Sequence, residues 1–309
     1  MKSWNRDPES HIGIVPILLE LSDLPAPEKK TLRLELERYM RLRLDRRLWM
    51  HSSITEFHTE WYREVYRIIG VEDPYKELKC RSAAAADQLL RTVQTDGIRG
   101  AMLAAIVANR LDFGVFGDLD PKTKLVLQDF ANLENIPLFV DDSEILLSRL
   151  KRARKLLYLA DNHGEVLFDL AFIGEILRIN ENMTVHLAGK SGPMLNDVTY
   201  EELVQLKMPE NCTALSTGSN CFGVPESEVS AEFKEELARA DVVIAKGHAY
   251  LEFWTEYGID KVFNLATTKF AVRDDMLGEI PKGSSVILWS GRYAEGKPPY
   301  NFRGAPGDR

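Results

Sequence analysis

The run Asp161-Asn162-His163-Gly164-Glu165 directly follows the apolar segment 156–160 and leads into a stretch with helical spacing. Carboxylate and carboxamide oxygens this close together suit hard divalent cations such as Mg²⁺ and Mn²⁺. Gly164 permits close backbone approach, and a helix start beside it favours an anion. Read alone, the same residues equally suit an ordinary strand-to-helix turn, where Asp, Asn and Gly recur for their backbone chemistry. His163 reads as a neighbour of such a site rather than a ligand.

Three further segments carry polar residues after apolar runs. Gly189-Lys190-Ser191-Gly192-Pro193-Met194-Leu195 closes with Asn196-Asp197, so Asp197 is either a second carboxylate at the same edge or, like Thr199, a helix cap. Lys246-Gly247-His248 follows the run 241–245 and offers an ammonium group for a phosphate, with Gly247 allowing tight approach. The segment Ser216-Thr217-Gly218-Ser219-Asn220 is of a kind that cradles phosphate through backbone N–H groups, and Ser216 and Gly218 are its candidate contacts. It matches neither a P-loop nor a GxGxxG fingerprint. Two carboxylates, an amide and a lysine, each after an apolar run, together fit metal-assisted phosphoryl chemistry.

These residues need a scaffold that brings the ends of separate strands together. Short apolar runs at 156–160, 184–188, 213–215, 242–245, 261–265 and 286–289 alternate with helical patterns such as 166–179 and 229–239. Strands without polar alternation, separated by helices, predict a mostly parallel sheet buried on both faces. Ligands in such sheets gather at the carboxyl ends of the strands. The first half has helical periodicity instead: Leu32, Leu36, Met40, Leu44 and Leu48 recur every fourth residue, 54–69 ends at Gly70, and Ile98, Met102, Leu103, Ile106 and Val107 form another stripe. The expectation is an α/β, Rossmann-like three-layer core over residues 151–309, preceded by a helical region over 1–150.

With 39 Lys and Arg against 47 Asp and Glu, the net charge of −8 argues against a general nucleic-acid binder. The arginine-rich run 38–47 is interrupted by acidic residues and reads as a solvated helix face. The three cysteines, Cys80, Cys212 and Cys221, have no CxxC or Cys/His spacing and read as reduced thiols of a cytoplasmic protein. No run approaches the roughly 18 apolar residues of a membrane span.

In their order along the chain, the motifs resemble those of the metal-dependent damage-control phosphatase family. Residues 161–165 resemble its Asp-Asn-x-Gly-Glu motif, 193–199 its Pro-x-x-Asn-Asp-x-Thr segment, and Ala240-Asp241 through Lys246-Gly247 its Ala-Asp…Lys-Gly segment. Residues 73–79 and 109–114 are similar to upstream landmarks, so the likeness runs from Asp73 to Trp289. The resemblance implies one divalent ion (Mn²⁺, Co²⁺, Ni²⁺ or Mg²⁺) held by Asp161, Asn162 and Asp197. It also implies that Lys246 contacts the substrate phosphate, and that Glu165 and Asn109 with Asp112 line or support the pocket. Members act on stray phosphometabolites such as sugar phosphates and phosphopantetheine derivatives. The chain departs from the pattern after Lys246-Gly247, where the family commonly has Gly-Asn and this sequence has Tyr250, a phenol on which a substrate can stack.

The expected activity is therefore phosphomonoester hydrolysis, with Asp161, Lys246 and Glu165 as catalytic groups and either water or Asp161 itself as nucleophile. Related proteins have been described as carboxyl methyltransferases that use S-adenosylmethionine. That reading wants a glycine-rich loop after the first strand, and Gly164 stands nearly alone. A non-catalytic metal-binding or sensor protein is the third reading, resting only on Tyr250.

Overall fold

The computed structural model describes residues 14–22, 24–43, 53–110, 121–257, 259–274 and 278–293. Its strands are β1 (Leu138–Asp141), β2 (Lys155–Leu159), β3 (Thr184–Gly189), β4 (Cys212–Ser216), β5 (Val242–Lys246), β6 (Val262–Thr267), β7 (Val272–Asp274), β8 (Gly278–Ile280) and β9 (Ser285–Trp289). Seven of them form one sheet in the order β1-β9-β6-β5-β2-β3-β4, and β7 and β8 pair as a separate ribbon.

The five strands β6, β5, β2, β3 and β4 run parallel, and helices cover both faces of the sheet. This is the expected α/β architecture. At one edge the direction reverses: β9 is antiparallel to β6, and β1 is parallel to β9. β1 also lies inside the span read as helical from sequence. Its four residues alternate between half-buried and exposed, too short a pattern to announce an edge strand.

Side chains of each central strand alternate between two separate cores. From β2, Leu156 and Tyr158 join the core beneath the helices Gly97–Ala108 and Val166–Ile179, while Leu157 and Leu159 join the core beneath Ala231–Arg239 and His248–Trp254. Val242 and Ile244 of β5 follow the first pattern, and Val243 and Ala245 the second. With both faces apolar, the strands read as continuous hydrophobic runs. Each fully buried Leu, Ile or Val side chain contributes roughly 1.5–3 kcal/mol.

The N-terminal helices build a third core around Leu18, Leu36, Trp61 and Val65. The helix Ile54–Ile69 is fixed at both ends: Ser53 and Glu56 form a reciprocal capping box, and Gly70 takes the left-handed conformation with φ 68°. The leucine-striped segment forms the helix Ala26–Arg43; Leu44 and Leu48 lie outside the described residues.

Candidate active site

β2, β3 and β5 are neighbours, and the chain leaves β2 in opposite directions across the sheet, toward β3 and β4 on one side and β5 and β6 on the other. The reversal of strand order lies between β2 and β5, where parallel sheets open a crevice. Backbone bonds bind two of the polar segments here into one unit. Val198 N–H donates to Asp161 C=O at 2.8 Å, His163 N–H to Asn196 C=O at 2.9 Å, and Asn162 pairs with Asp197 as an isolated antiparallel bridge. Thr199, not Asp197, caps the following helix, in a capping box with Glu202. Asp197 is therefore left to the crevice.

The third segment makes room for the first. At Gly247, φ is +84°, and a Cβ there would lie 1.9 Å from Asp161 Oδ2. No side chain other than glycine fits. Asp161, Asn162 and Asp197 are all buried. Asp161 Oδ2 accepts from Asn109 Nδ2 at 2.8 Å and from Asn162 Nδ2 at 3.1 Å. Glu165 takes further N–H groups of the same two amides, at 2.9 Å and 2.8 Å. Asn109 ends the helix Gly97–Ala108, and its side-chain carbonyl accepts from Thr267 N–H at 3.1 Å, which fixes its amide orientation. Asp112 lies outside the described residues.

Lys246 is placed differently from the expectation that it meets the substrate. It is fully buried, and its ammonium donates to Ala105 C=O at 3.0 Å, Glu165 Oε1 at 3.0 Å and Asp169 Oδ1 at 2.7 Å. All three of its donors are engaged inside the protein. Parity explains this: Lys246 shares the face of Val242 and Ile244, under the helix Val166–Ile179. Burial works against its charge, but Asp169 and Glu165 outweigh it and hold its pKa above the ordinary lysine value. Asp169 is raised to about 6 by burial despite Lys246, and accepts from Tyr158 OH at 2.7 Å.

Two other lysines serve the crevice, and the sequence reading singled out neither. Lys190 is buried, lies 3.2 Å from Asp197 Oδ2, donates to Cys221 C=O, and stands 5.5 Å and 5.8 Å from the ring centroids of Phe222 and Tyr250. Its parity with Ala188 puts it on the sheet face opposite Lys246. Tyr250 is thus a wall of the Lys190 cage; burial raises its phenol well above the ordinary value. Lys269 is exposed, and its charge acts on both Asp161 and Asp197. The alternation along β3 was a usable signal for Lys190. Lys269 sits after β6 in a loop without a motif.

The loop after β4 is not the phosphate cradle that its composition suggested. Thr217 N–H donates to Gly189 C=O, Gly218 N–H to Ser216 Oγ, and Ser219 N–H lies 3.5 Å from Thr217 Oγ1. A Cβ at Gly218 would meet the Ser230 backbone at 2.6 Å, so its glycine serves packing. The loop is held instead by the helix Ile54–Ile69. Arg63 bonds to Asn220, Ser219 and Glu228, and Thr59 Oγ1 accepts from Phe222 N–H. The same helix steadies Leu195, whose backbone has φ 49°, through a bond from Leu195 N–H to Tyr66 OH at 2.9 Å. His163 faces Glu202 at 3.3 Å, and Glu202 in turn faces the buried Lys79 at 3.1 Å.

The donors at the crevice fit a divalent cation. Burial first, and then the Glu165 and Asp197 charges, push Asp161 up to about 8, and burial raises Asp197 despite Lys190. A cation between them relieves both effects. Asn162 spends its N–H groups on Asp161 and Glu165, leaving its carbonyl oxygen for other use. Among the described residues no three His, Cys, Asp or Glu side chains form a ready cage. The set consists of two carboxylates and a carboxamide, all oxygen donors.

Comparison with known proteins places the chain in a family and matches its fold. The damage-control phosphatase ARMT1-like domain matches residues 17–282. A protein of Pyrococcus horikoshii named a damage-control phosphatase is 36% identical over 235 residues, covering 74% of this chain and 78% of the relative. An Archaeoglobus fulgidus protein of the same name is 31% identical over 224 residues, covering 68% and 74%. The crystal structure of a DUF89 family protein from P. horikoshii superposes with a TM-score of 0.81 at 27% identity, over 94% of this chain and 99% of that one. No helix among the described residues is long and apolar enough to cross a membrane.

Proposed function

Because the chain belongs to the ARMT1-like damage-control phosphatase family, we propose that it is a divalent-metal-dependent phosphomonoesterase acting on small damaged or surplus phosphorylated metabolites. The observation that carries the metal-dependent reading is the meeting of Asp161, Asn162 and Asp197 at the strand-order reversal, with Gly247 opening the space beside Asp161. Sugar phosphates, phosphopantetheine-like compounds and nucleotides are the substrate classes to test. Mn²⁺, Co²⁺, Ni²⁺ and Mg²⁺ are the ions.

Bound by these three residues, a divalent cation supplies Lewis-acid stabilisation of the charge on a phosphoryl group. Lys269 adds an exposed positive charge near both carboxylates, which favours approach of a phosphate dianion. Lys190 holds Asp197 in place and offsets its charge within a wall of Phe222 and Tyr250. The amides of Asn109 and Asn162 fix Asp161 Oδ2, so the carboxylate has one orientation. In the net reaction water cleaves the phosphomonoester to an alcohol and inorganic phosphate. The attacking oxygen comes either from water or from Asp161, with hydrolysis of the acyl phosphate to follow.

The test is phosphate release from a panel of sugar phosphates, nucleotides and phosphopantetheine, with each of the four ions or with chelator. Metal-dependent release that Asp161→Ala reduces by more than the roughly 10–100-fold typical of outer-sphere changes supports the reading. Release that is equal in chelator, or equal in the variant, rejects it.

A further inference from the structure

Glu165 carries an acidic side chain at the site, yet its surroundings do not suit proton transfer. It is fully buried, and both oxygens are saturated. Oε1 accepts from Lys246 Nζ at 3.0 Å and from Asn109 Nδ2 at 3.2 Å. Oε2 accepts from Asn109 Nδ2 at 2.9 Å and from Asn162 Nδ2 at 2.8 Å. Both oxygens accept here, so the end of each amide that faces them is the NH₂ end. That requirement, through the shorter of its two bonds, orients Asn162: 2.8 Å to Glu165 Oε2 against 3.1 Å to Asp161 Oδ2. Asn109 is fixed independently by Thr267 N–H, but among the described residues the bonds from the Asn162 side chain run only to Asp161 and Glu165.

We infer that Glu165 is a positioning residue for the metal site: anchored on Lys246 with both oxygens accepting, it turns the NH₂ of Asn162 inward and the Asn162 carbonyl oxygen toward the space beside Asp161 and Asp197. The inference rests on the metal-dependent reading above and goes beyond it, since it assigns the choice of the Asn162 ligand atom to a residue that touches neither ion nor substrate. The substitution Glu165→Gln exposes the mechanism. Lys246, having only donors, keeps the carbonyl oxygen of the introduced carboxamide at the Oε1 position. The NH₂ of that carboxamide then falls where Oε2 stood, donor against donor with Asn162; Asn109, which also bonded Oε2, keeps its bonds to Asp161 Oδ2 and to the Oε1 position. Asn162 relieves the conflict by rotating its amide, which gives up its 3.1 Å bond to Asp161 Oδ2 and turns NH₂ toward the ion. Changing Asn162 to Asp in the same chain removes the problem, because a carboxylate accepts from the introduced NH₂ with one oxygen and presents the other.

The experiment measures Mn²⁺ affinity of the full chain by calorimetry and the visible spectrum of the Co²⁺-loaded protein, with circular dichroism as the check on folding. Wild type is expected to bind one Mn²⁺ saturably. Glu165→Gln should bind about 10–100-fold more weakly, the usual size of an outer-sphere effect, with an altered Co²⁺ spectrum. The double variant E165Q/N162D should regain most of the affinity. The inference is overturned if E165Q binds like wild type, or if the double variant binds no better than E165Q. If E165Q does not fold, E165Q/N162D is compared with N162D, whose carboxylate faces the Glu165 carboxylate. The double must then bind more tightly, and equal or weaker binding overturns the inference. Absence of saturable Mn²⁺ binding by wild type would sink the metal-dependent reading itself, a different outcome from either of these.

Discussion

Lys190 and Lys246 stand at the carboxyl ends of two strands that flank β2, and they have opposite surroundings. Lys246 lies under the helix Val166–Ile179, locked to Glu165, Asp169 and a backbone carbonyl. Lys190 lies on the other face, between two aromatic rings, and its ion pair is with a carboxylate of the crevice. Residue type and strand-end position are the same in both. What separates them is which face of the sheet the side chain enters, so one lysine supports the site from below and the other adjoins the proposed ligands.

Substitution of each lysine tests that division. Lys246→Met should leave Glu165 and Asp169 as uncompensated buried charges, a loss of roughly 3–5 kcal/mol. Urea unfolding should detect it, and saturating Mn²⁺ should not restore it. Lys190→Met should destabilise mainly the metal-free protein, because a cation between Asp161 and Asp197 takes over the neutralisation of Asp197. Melting with and without Mn²⁺ checks this, and equal loss in both conditions would erase the distinction between the two lysines.

Gly247→Ala adds a methyl group beside Asp161 and an unfavourable positive φ, at a cost on the order of 1–3 kcal/mol. Its effect on Mn²⁺ affinity should exceed its effect on stability, since Asp161 is the group displaced. The smallest effect concerns Glu202, in the capping box with Thr199. Burial favours its protonated form, but the bond from His163, the Lys79 charge and the Thr199 N–H outweigh burial and lower it to about 2. A depressed carboxylate stabilises the fold above its unfolded value near 4.5 and loses that contribution as pH falls toward 2. Glu202→Gln should therefore flatten the stability curve across that acid window, by on the order of 1 kcal/mol for a partly exposed, solvent-screened group. An unchanged curve would remove Glu202 from the linkage.

Much of this arrangement was legible from spacing. The runs ending near Leu159, Ala188, Leu215, Ala245, Leu265 and Trp289 are all strands, and the helices Ile54–Ile69 and Val166–Ile179 have the bounds their periodicity predicts. The reversed edge strands were not legible, because strand direction depends on pairing with distant residues and leaves no local pattern. Thr199 and Asp197 were equal candidates for a helix cap; only the geometry gives the cap to Thr199 and Asp197 to the crevice. The loop 216–220 had the composition of an anion cradle, but its N–H groups turn inward to Gly189, Ser216 and Thr217.

The sequence by itself determined the α/β layering and placed Asp161, Asn162 and Asp197 in strand-end segments, because apolar runs and the polar residues that end them are local properties. The tertiary structure decided which face each end presents, how Gly247 makes space for Asp161, and that Lys190 rather than Lys246 stands beside Asp197. Those outcomes come from register, parity and hydrogen-bond satisfaction between segments far apart in the chain. Elements and their order are therefore readable from one strand at a time, and the polarity of the site is not.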